Sequence, residues 1–175
     1  MSCQYPRSPG EKRVGSEKGL FAELLSGVRA IVHGQGRRDD KLTAICQLLR
    51  DGVAHYDWAG FYLVGASKRE LLLGPYAGKP TRHVKIAFGQ GICGQAAKRQ
   101  ETFVVPDVSG QSNYLSCSPQ VKAEIVVPIF RDTELVGELD IDSHSLGAFT
   151  EQDKAFLEDV CEEVRGLFRD RTNGD

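Results

Sequence analysis

No apolar run in this chain of 175 residues approaches the roughly 18 residues that a membrane-crossing helix needs. No Cys-x-x-Cys pair occurs, so the usual spacing of a structural zinc site is missing. There is no basic excess either: 22 Lys and Arg stand against 24 Asp and Glu, a formal charge of -2. A nucleic-acid-binding surface normally carries a strong positive balance, so the composition argues against that class. Met1 to Arg13 lacks the apolar stretch of a signal peptide. Without one, the five cysteines (Cys3, Cys46, Cys93, Cys117 and Cys161) do not read as a secreted disulfide framework. The expectation is a cytoplasmic protein with reduced thiols, no membrane segment and no nucleic-acid partner.

What is present is enough apolar residue, 41% of the chain, to build one core without staples. Residues 1–16, with Ser, Pro, Gly and a small basic excess, read as a loose tail, and 17–172 as a single domain. From Lys18 apolar residues recur at three- and four-residue steps (Leu20, Phe21, Leu24, Leu25, Val28, Ile31), the period of an amphipathic helix. Asp39 or Asp40 is placed to cap a second helix, with Leu42, Ile45, Leu49 and Val53 on its buried face. The period then shortens. Strands are expected at 58–64, 69–73, 84–88 and 102–105, with Gly74-Pro75 and Gly78-Lys79-Pro80 as turns. A short helix is expected at 94–99. The clearest strand pair is 124–130 with 134–141, and a last helix starts at Thr150 with Asp153 three residues on, a capping box. Strands in the middle and long helices at both ends define an α+β domain. Its antiparallel sheet carries the terminal helices on one face.

Side chains on a strand alternate, so Glu138, Asp140 and Asp142 share one face while Leu135, Leu139 and Ile141 take the other. Crowded carboxylates repel, and need water, a metal or a cationic ligand. A solvated face is the plain alternative, but Glu124 opens the neighbouring strand before the apolar run Ile125-Val-Val-Pro128, an odd place for a lone carboxylate. Trp58 and Tyr62 point the same way on the first strand and serve either as core or as the apolar wall of a pocket. Cys46 and Cys161 lie on apolar helix faces and read as core. Cys93 starts the short helix, where a helix N-terminus activates a thiol, or it is a small apolar plug. Cys117 stands in a polar loop that core packing does not explain. Gly89-Gln-Gly-Ile-Cys-Gly94 fits a dinucleotide fingerprint, but the helix after it is short and no second βαβ unit follows. Asp140, Asp142 and His144, with His83 as the only plausible further histidine, are the only set that suggests a metal, and none is expected.

Several segments appear together and in order: Asp57-Trp-Ala-Gly-Phe-Tyr62, Leu73-Gly-Pro-Tyr76, Gly78-Lys-Pro80, Gly89 to Gly94, Val105-Pro-Asp-Val108, Cys117, Glu124-Ile-Val-Val-Pro128 and Gly137-Glu-Leu-Asp-Ile-Asp-Ser143. In these the chain resembles the GAF-domain free methionine-(R)-sulfoxide reductases, from about Leu42 to Val164. The resemblance implies a GAF-like fold with a ligand pocket on the sheet face opposite the terminal helices. It implies that Glu124, Asp140 and Asp142 hold a free amino acid and its sulfoxide, and that Trp58 and Tyr62 receive the methyl group. It implies Cys117 as the catalytic thiol and Cys93 as its disulfide partner. It also implies a homodimer with no bound cofactor, reduced by thioredoxin or another thiol. One departure stands out: the family's third cysteine is missing from Pro80-Thr-Arg-His-Val84. Cys93 alone, or an external thiol, would then resolve the oxidised form. A non-catalytic small-molecule-binding GAF module and a thiol redox sensor using Cys93 and Cys117 are the alternatives.

Overall fold

The computed structural model describes residues 11–111 and 118–168. Helices α1 (Glu11–His33) and α2 (Arg38–Gly52) precede strands β1 (Trp58–Val64), β2 (Glu70–Ala77) and β3 (Lys85–Ala87). Helix α3 (Gly91–Arg99) and strand β4 (Phe103–Val105) follow, then β5 (Ala123–Arg131), β6 (Glu134–Ser143) and α4 (Glu151–Val164). The sheet order is β3-β2-β1-β6-β5-β4, and every neighbouring pair is antiparallel. This is the expected α+β architecture. With no parallel βαβ unit among the described strands, the glycine loop has no dinucleotide-binding context.

Alternation along the strands splits the interior into two layers. Ala59, Phe61, Ile125, Val127, Ile129, Leu139 and Ile141 face α1, α2 and α4. Their partners include Leu42, Ile45 and Leu49 of α2 and Leu157 and Val160 of α4, all fully buried. Each such side chain contributes roughly 1.5–3 kcal/mol by leaving water. Phe21 of α1 stacks on Phe156 of α4 with ring centroids 4.5 Å apart, which brings helices α1 and α4 together on that face. On the other face Trp58, Tyr62 and Val126 pack under α3 through Ile92, Cys93, Ala96 and Ala97. Thr150 caps α4 as expected: its hydroxyl accepts from the amides of Gln152 and Asp153, and Asp153 Oδ2 accepts from Thr150 N at 2.8 Å.

Four boundaries differ from the sequence reading. Helix α1 starts at Glu11, so part of the segment expected as tail is helical. Arg37, not an aspartate, is the residue before α2 and makes no side-chain cap. Asp39 and Asp40 sit in the first turn instead, where acidic side chains favour the helix dipole. Gly74 and Pro75 are not a turn but lie inside β2. There the register with β1 slips between Gly60 and Tyr62, and a bulge tolerates a proline that has no N–H to donate. Helix α3 begins at Gly91, so Cys93 lies in its first turn.

The turn into α3 depends on Gly94. A Cβ there would stand 2.3 Å from the Ala87 carbonyl oxygen and 3.1 Å from Gly89 N, both backbone atoms that cannot rotate away. Gly94→Ala is therefore expected to lower the unfolding free energy by about 2 kcal/mol or more. Urea denaturation reads the loss, and a wild-type midpoint would contradict it.

Candidate active site

Register builds the site. Across β1–β6, Trp58 lies opposite Asp142, Gly60 opposite Asp140 and Tyr62 opposite Glu138. Across β5–β6, Glu124 lies opposite Asp142, Val126 opposite Asp140 and Pro128 opposite Glu138. One face therefore gathers four carboxyl groups, Glu124, Glu138, Asp140 and Asp142, none more than 4% exposed. Helix α3 adds Cys93, whose thiol donates to Asp140 Oδ2 at 3.4 Å and to Glu124 Oε1 at 3.7 Å. Among the described residues both oxygens of Glu138, and Oδ1 of Asp140 and of Asp142, lie in no hydrogen bond of ordinary length.

Burial and crowding set the charge state. Burial first, then Asp140, Asp142 and Glu138, push the Glu124 carboxyl well above the usual range, and the Cys93 hydrogen bond only partly opposes this. Burial, then Asp140, does the same to Glu138. Burial, then Asp140 and Asp57, does it to Asp142. Burial raises Asp140 to about 7, and its bond from Cys93 holds it there. The site therefore holds neutral carboxyl groups that a cation would ionise.

The aromatic wall is fixed by a strap. Trp58 Nε1 donates to the Lys79 carbonyl at 3.1 Å and its ring stacks on Tyr76 at 5.5 Å. The Tyr62 hydroxyl donates to the His83 carbonyl at 3.0 Å. The Trp58 ring fits because Gly60 and Gly78 have no side chains. A Cβ on either would stand 2.2 or 2.4 Å from it, and Gly78 also has a φ of +136°. A cavity of about 270 Å³ opens beside this wall, lined by Trp58, Asp142, Asp57, His144, Lys79 and Ser118 among others. A second space of about 10 Å³, lined by His83, Gln90, Cys93 and Glu124 among others, has room for about one water.

The structure thus brings together Glu124, Asp140, Asp142, Trp58, Tyr62 and Cys93. Cys117 lies outside the described residues, and its neighbour Ser118 is in the wall of the larger cavity. His144 leaves the Asp140–Asp142 set: its ring nitrogen pairs with Asp57 at 3.2 Å and its amide donates to Asp57 Oδ2. Cys93, Glu124 and Asp140 offer donor atoms within 4.8 Å of one another. Cys93 is already engaged with both carboxyl groups there, and we assign no metal to them. Sequence reasoning placed Glu138 on the right face but left it out of the site. The straps from Trp58 and Tyr62 left no local signal, because a carbonyl acceptor can belong to any residue. A cleft of about 480 Å³ between α4 and β5, with Thr102, Pro128 and Glu158 in its wall, holds none of these groups.

The fold and this site define a GAF domain: the model of the GAF domain family matches residues 37–165. The free methionine-R-sulfoxide reductase of Escherichia coli K12 is 31% identical over 145 residues, 83% of this chain and 86% of that protein. That of Saccharomyces cerevisiae is 43% identical over 107 residues, 60% of this chain and 59% of that protein. The free methionine-R-sulfoxide reductase of Neisseria meningitidis, solved in complex with its substrate, superposes with a TM-score of 0.82 at 30% identity over 95% of each chain. The chain belongs to the free methionine-R-sulfoxide reductase family of GAF domains. Among its described residues no helix is long and apolar enough to cross a membrane.

The raised carboxyls link stability to pH. Asp140 keeps its proton up to about pH 7 in the folded state and loses it near 3.8 when unfolded. Its stabilising contribution is therefore complete below pH 3.8 and gone above about 7. In urea titrations, the stability of wild type relative to Asp140→Asn should fall across that window by a few kcal/mol, at about 1.4 kcal/mol per pH unit. A difference that stays flat across the window would contradict the protonated cluster.

Proposed function

We propose that this protein reduces free L-methionine-(R)-sulfoxide to methionine, with Cys117 as the attacking thiol and Cys93 as its resolving partner. The single observation that carries the reading is Cys93 donating to Glu124 and Asp140 at the centre of a buried carboxyl face. A redox-capable thiol and a cation-binding set share one site there. Carboxyl groups that ionise around an ammonium select a free amino acid, because a peptide bond removes that charge. Trp58 and Tyr62 give the methyl group an apolar wall.

In the first step the Cys117 sulfur attacks the sulfoxide sulfur. A neutral carboxyl, Glu124 or Asp142, protonates the departing oxygen, which suits groups that keep their protons near neutral pH. The protonated oxygen then passes as hydroxyl from the methionine sulfur to the Cys117 sulfur as the transient sulfur–sulfur bond breaks, so methionine leaves and Cys117 is left as a sulfenic acid, the first rung of thiol oxidation. In the second step Cys93 attacks that sulfenic acid, forming a disulfide and releasing water. Thioredoxin, or another thiol donor, restores both thiols by exchange. Because Pro80-Thr-Arg-His-Val84 has no cysteine, Cys93 resolves alone. The resemblance further supports a cytoplasmic homodimer with no bound cofactor.

The test is NADPH consumption with thioredoxin, thioredoxin reductase and free L-methionine-(R)-sulfoxide. Cys117→Ser should fall to background. Cys93→Ser should form about one methionine per site and then stop, since sulfenic acid still forms but cannot close a disulfide. Full turnover by Cys117→Ser, or none by wild type with either thioredoxin or dithiothreitol, would overturn the reading.

A further inference from the structure

The proposed reduction uses the acidic side of the cavity beside Trp58, but not the basic groups that share its wall. Arg50, Lys79 and His144 line that cavity together with Asp57 and Asp142. Two of the three basic groups are engaged with acids. The His144 ring pairs with Asp57 at 3.2 Å. Arg50 reaches Asp51 at 3.5 Å and gives its Nε–H to the Asp57 carbonyl. Lys79 differs from both. Among the described residues its ammonium donates to the neutral amide oxygen of Gln120 at 2.6 Å and pairs with no carboxylate.

The place of Lys79 is set by Trp58. The Lys79 carbonyl accepts from Trp58 Nε1 at 3.1 Å, and Trp58 lies opposite Asp142 across β1–β6. The cavity therefore has an acid on the sheet side of Trp58 and a cation on the strap side. Gln120 belongs to the segment whose Ser118, Pro119 and Val121 line the same cavity, so the Lys79–Gln120 bond joins the strap to that wall. A free amino acid brings two charges to such a cavity, an ammonium and a carboxylate. The acidic face answers the ammonium only. A carboxylate taken out of water without a donor is costly, and an ammonium holds a carboxylate more strongly than a neutral amide oxygen.

We propose that Lys79 is a specificity-determining residue that binds the α-carboxylate of the amino acid, exchanging the Gln120 amide for it. The proposal rests on the reading of this site as one for a free amino acid. It adds a second criterion to the one set by the ammonium. Amides and esters of the amino acid fail on the carboxylate, and residues inside a peptide fail on both charges. The Trp58 bond goes to the Lys79 backbone carbonyl, so replacing the side chain removes the cation and leaves the aromatic wall its anchor.

The chain has one tryptophan, and Trp58 stands in the cavity wall, so intrinsic fluorescence reports ligand binding. Full-length wild type, Lys79→Met, Lys79→Arg and Arg50→Met are titrated with L-methionine-(R)-sulfoxide and with its carboxamide. The pH is slightly acidic, where both compounds carry the ammonium. Methionine formation with dithiothreitol is measured in parallel. Wild type should bind the acid about tenfold more tightly than the amide. Lys79→Met should bring that ratio close to one by weakening the acid alone. Lys79→Arg should keep part of the preference, and Arg50→Met should keep most of it. A purely structural role for Lys79 would weaken acid and amide together and preserve the ratio, which overturns the proposal. A preference lost in Arg50→Met but kept in Lys79→Met overturns it too. If wild type shows the preference and Lys79→Met loses it, yet no methionine forms, the reductase reading fails and the carboxylate site stands. If methionine forms but wild type does not distinguish acid from amide, the reductase reading stands and the Lys79 site is refuted. If wild type binds neither compound, both are refuted.

Discussion

Four carboxyl groups held on one buried sheet face, repelling one another, are the constraint around which the rest of this molecule is arranged. Strand alternation places three of them on β6 and register brings Glu124 alongside. Once there they can hold charge only through protons, hydrogen-bond donors or a cation. The fold supplies one donor, Cys93, delivered by a helix that a glycine turn allows to approach the sheet. The remaining valence is left for protons in the ligand-free protein and, under the proposed function, for the ammonium of a free amino acid in the bound one.

The two faces of the sheet then divide the work. The α1–α2–α4 face is largely apolar, with Asp153 bonded to Tyr56 as its buried polar pair, and carries the stability. The α3 face carries polar groups whose burial costs free energy, and the apolar layer offsets that cost. The aromatic wall is anchored within the polar face. Trp58 and Tyr62 hold the 79–83 segment by its carbonyls, so the apolar side of the cavity is set before any ligand arrives. The polar face also gives the thiol its setting, because Cys93 is bonded to the same carboxyls that would meet the substrate.

Much of this was legible in the residues themselves. Period-two alternation in Glu138-Leu-Asp-Ile-Asp142 fixes which side chains share a face, and the capping box at Thr150 fixes the start of α4. Both depend on local chemistry alone. What depended on pairing was less visible. Gly74-Pro75 carries the composition of a turn, yet long-range register with β1 keeps it in a strand, and a bulge absorbs the missing donor. Arg37 precedes α2 without a cap because packing of Leu42, Ile45 and Leu49 outweighs the terminal hydrogen bond. Glu138 was readable as a member of the acidic face. Its complete burial emerged only with the fold. His144 looked like a continuation of the same alternation, but it follows the strand's end and turns to Asp57.

The central claim is that a buried, protonated carboxyl cluster ionises to bind the ammonium of a free amino acid. Isothermal titration of the Cys117→Ser protein with L-methionine-(R)-sulfoxide near neutral pH, in two buffers of different ionisation enthalpy, measures the protons exchanged on binding. The account predicts release of about one proton per site, and no binding of the N-acetyl derivative. Equal binding of both compounds with no proton exchange would contradict it.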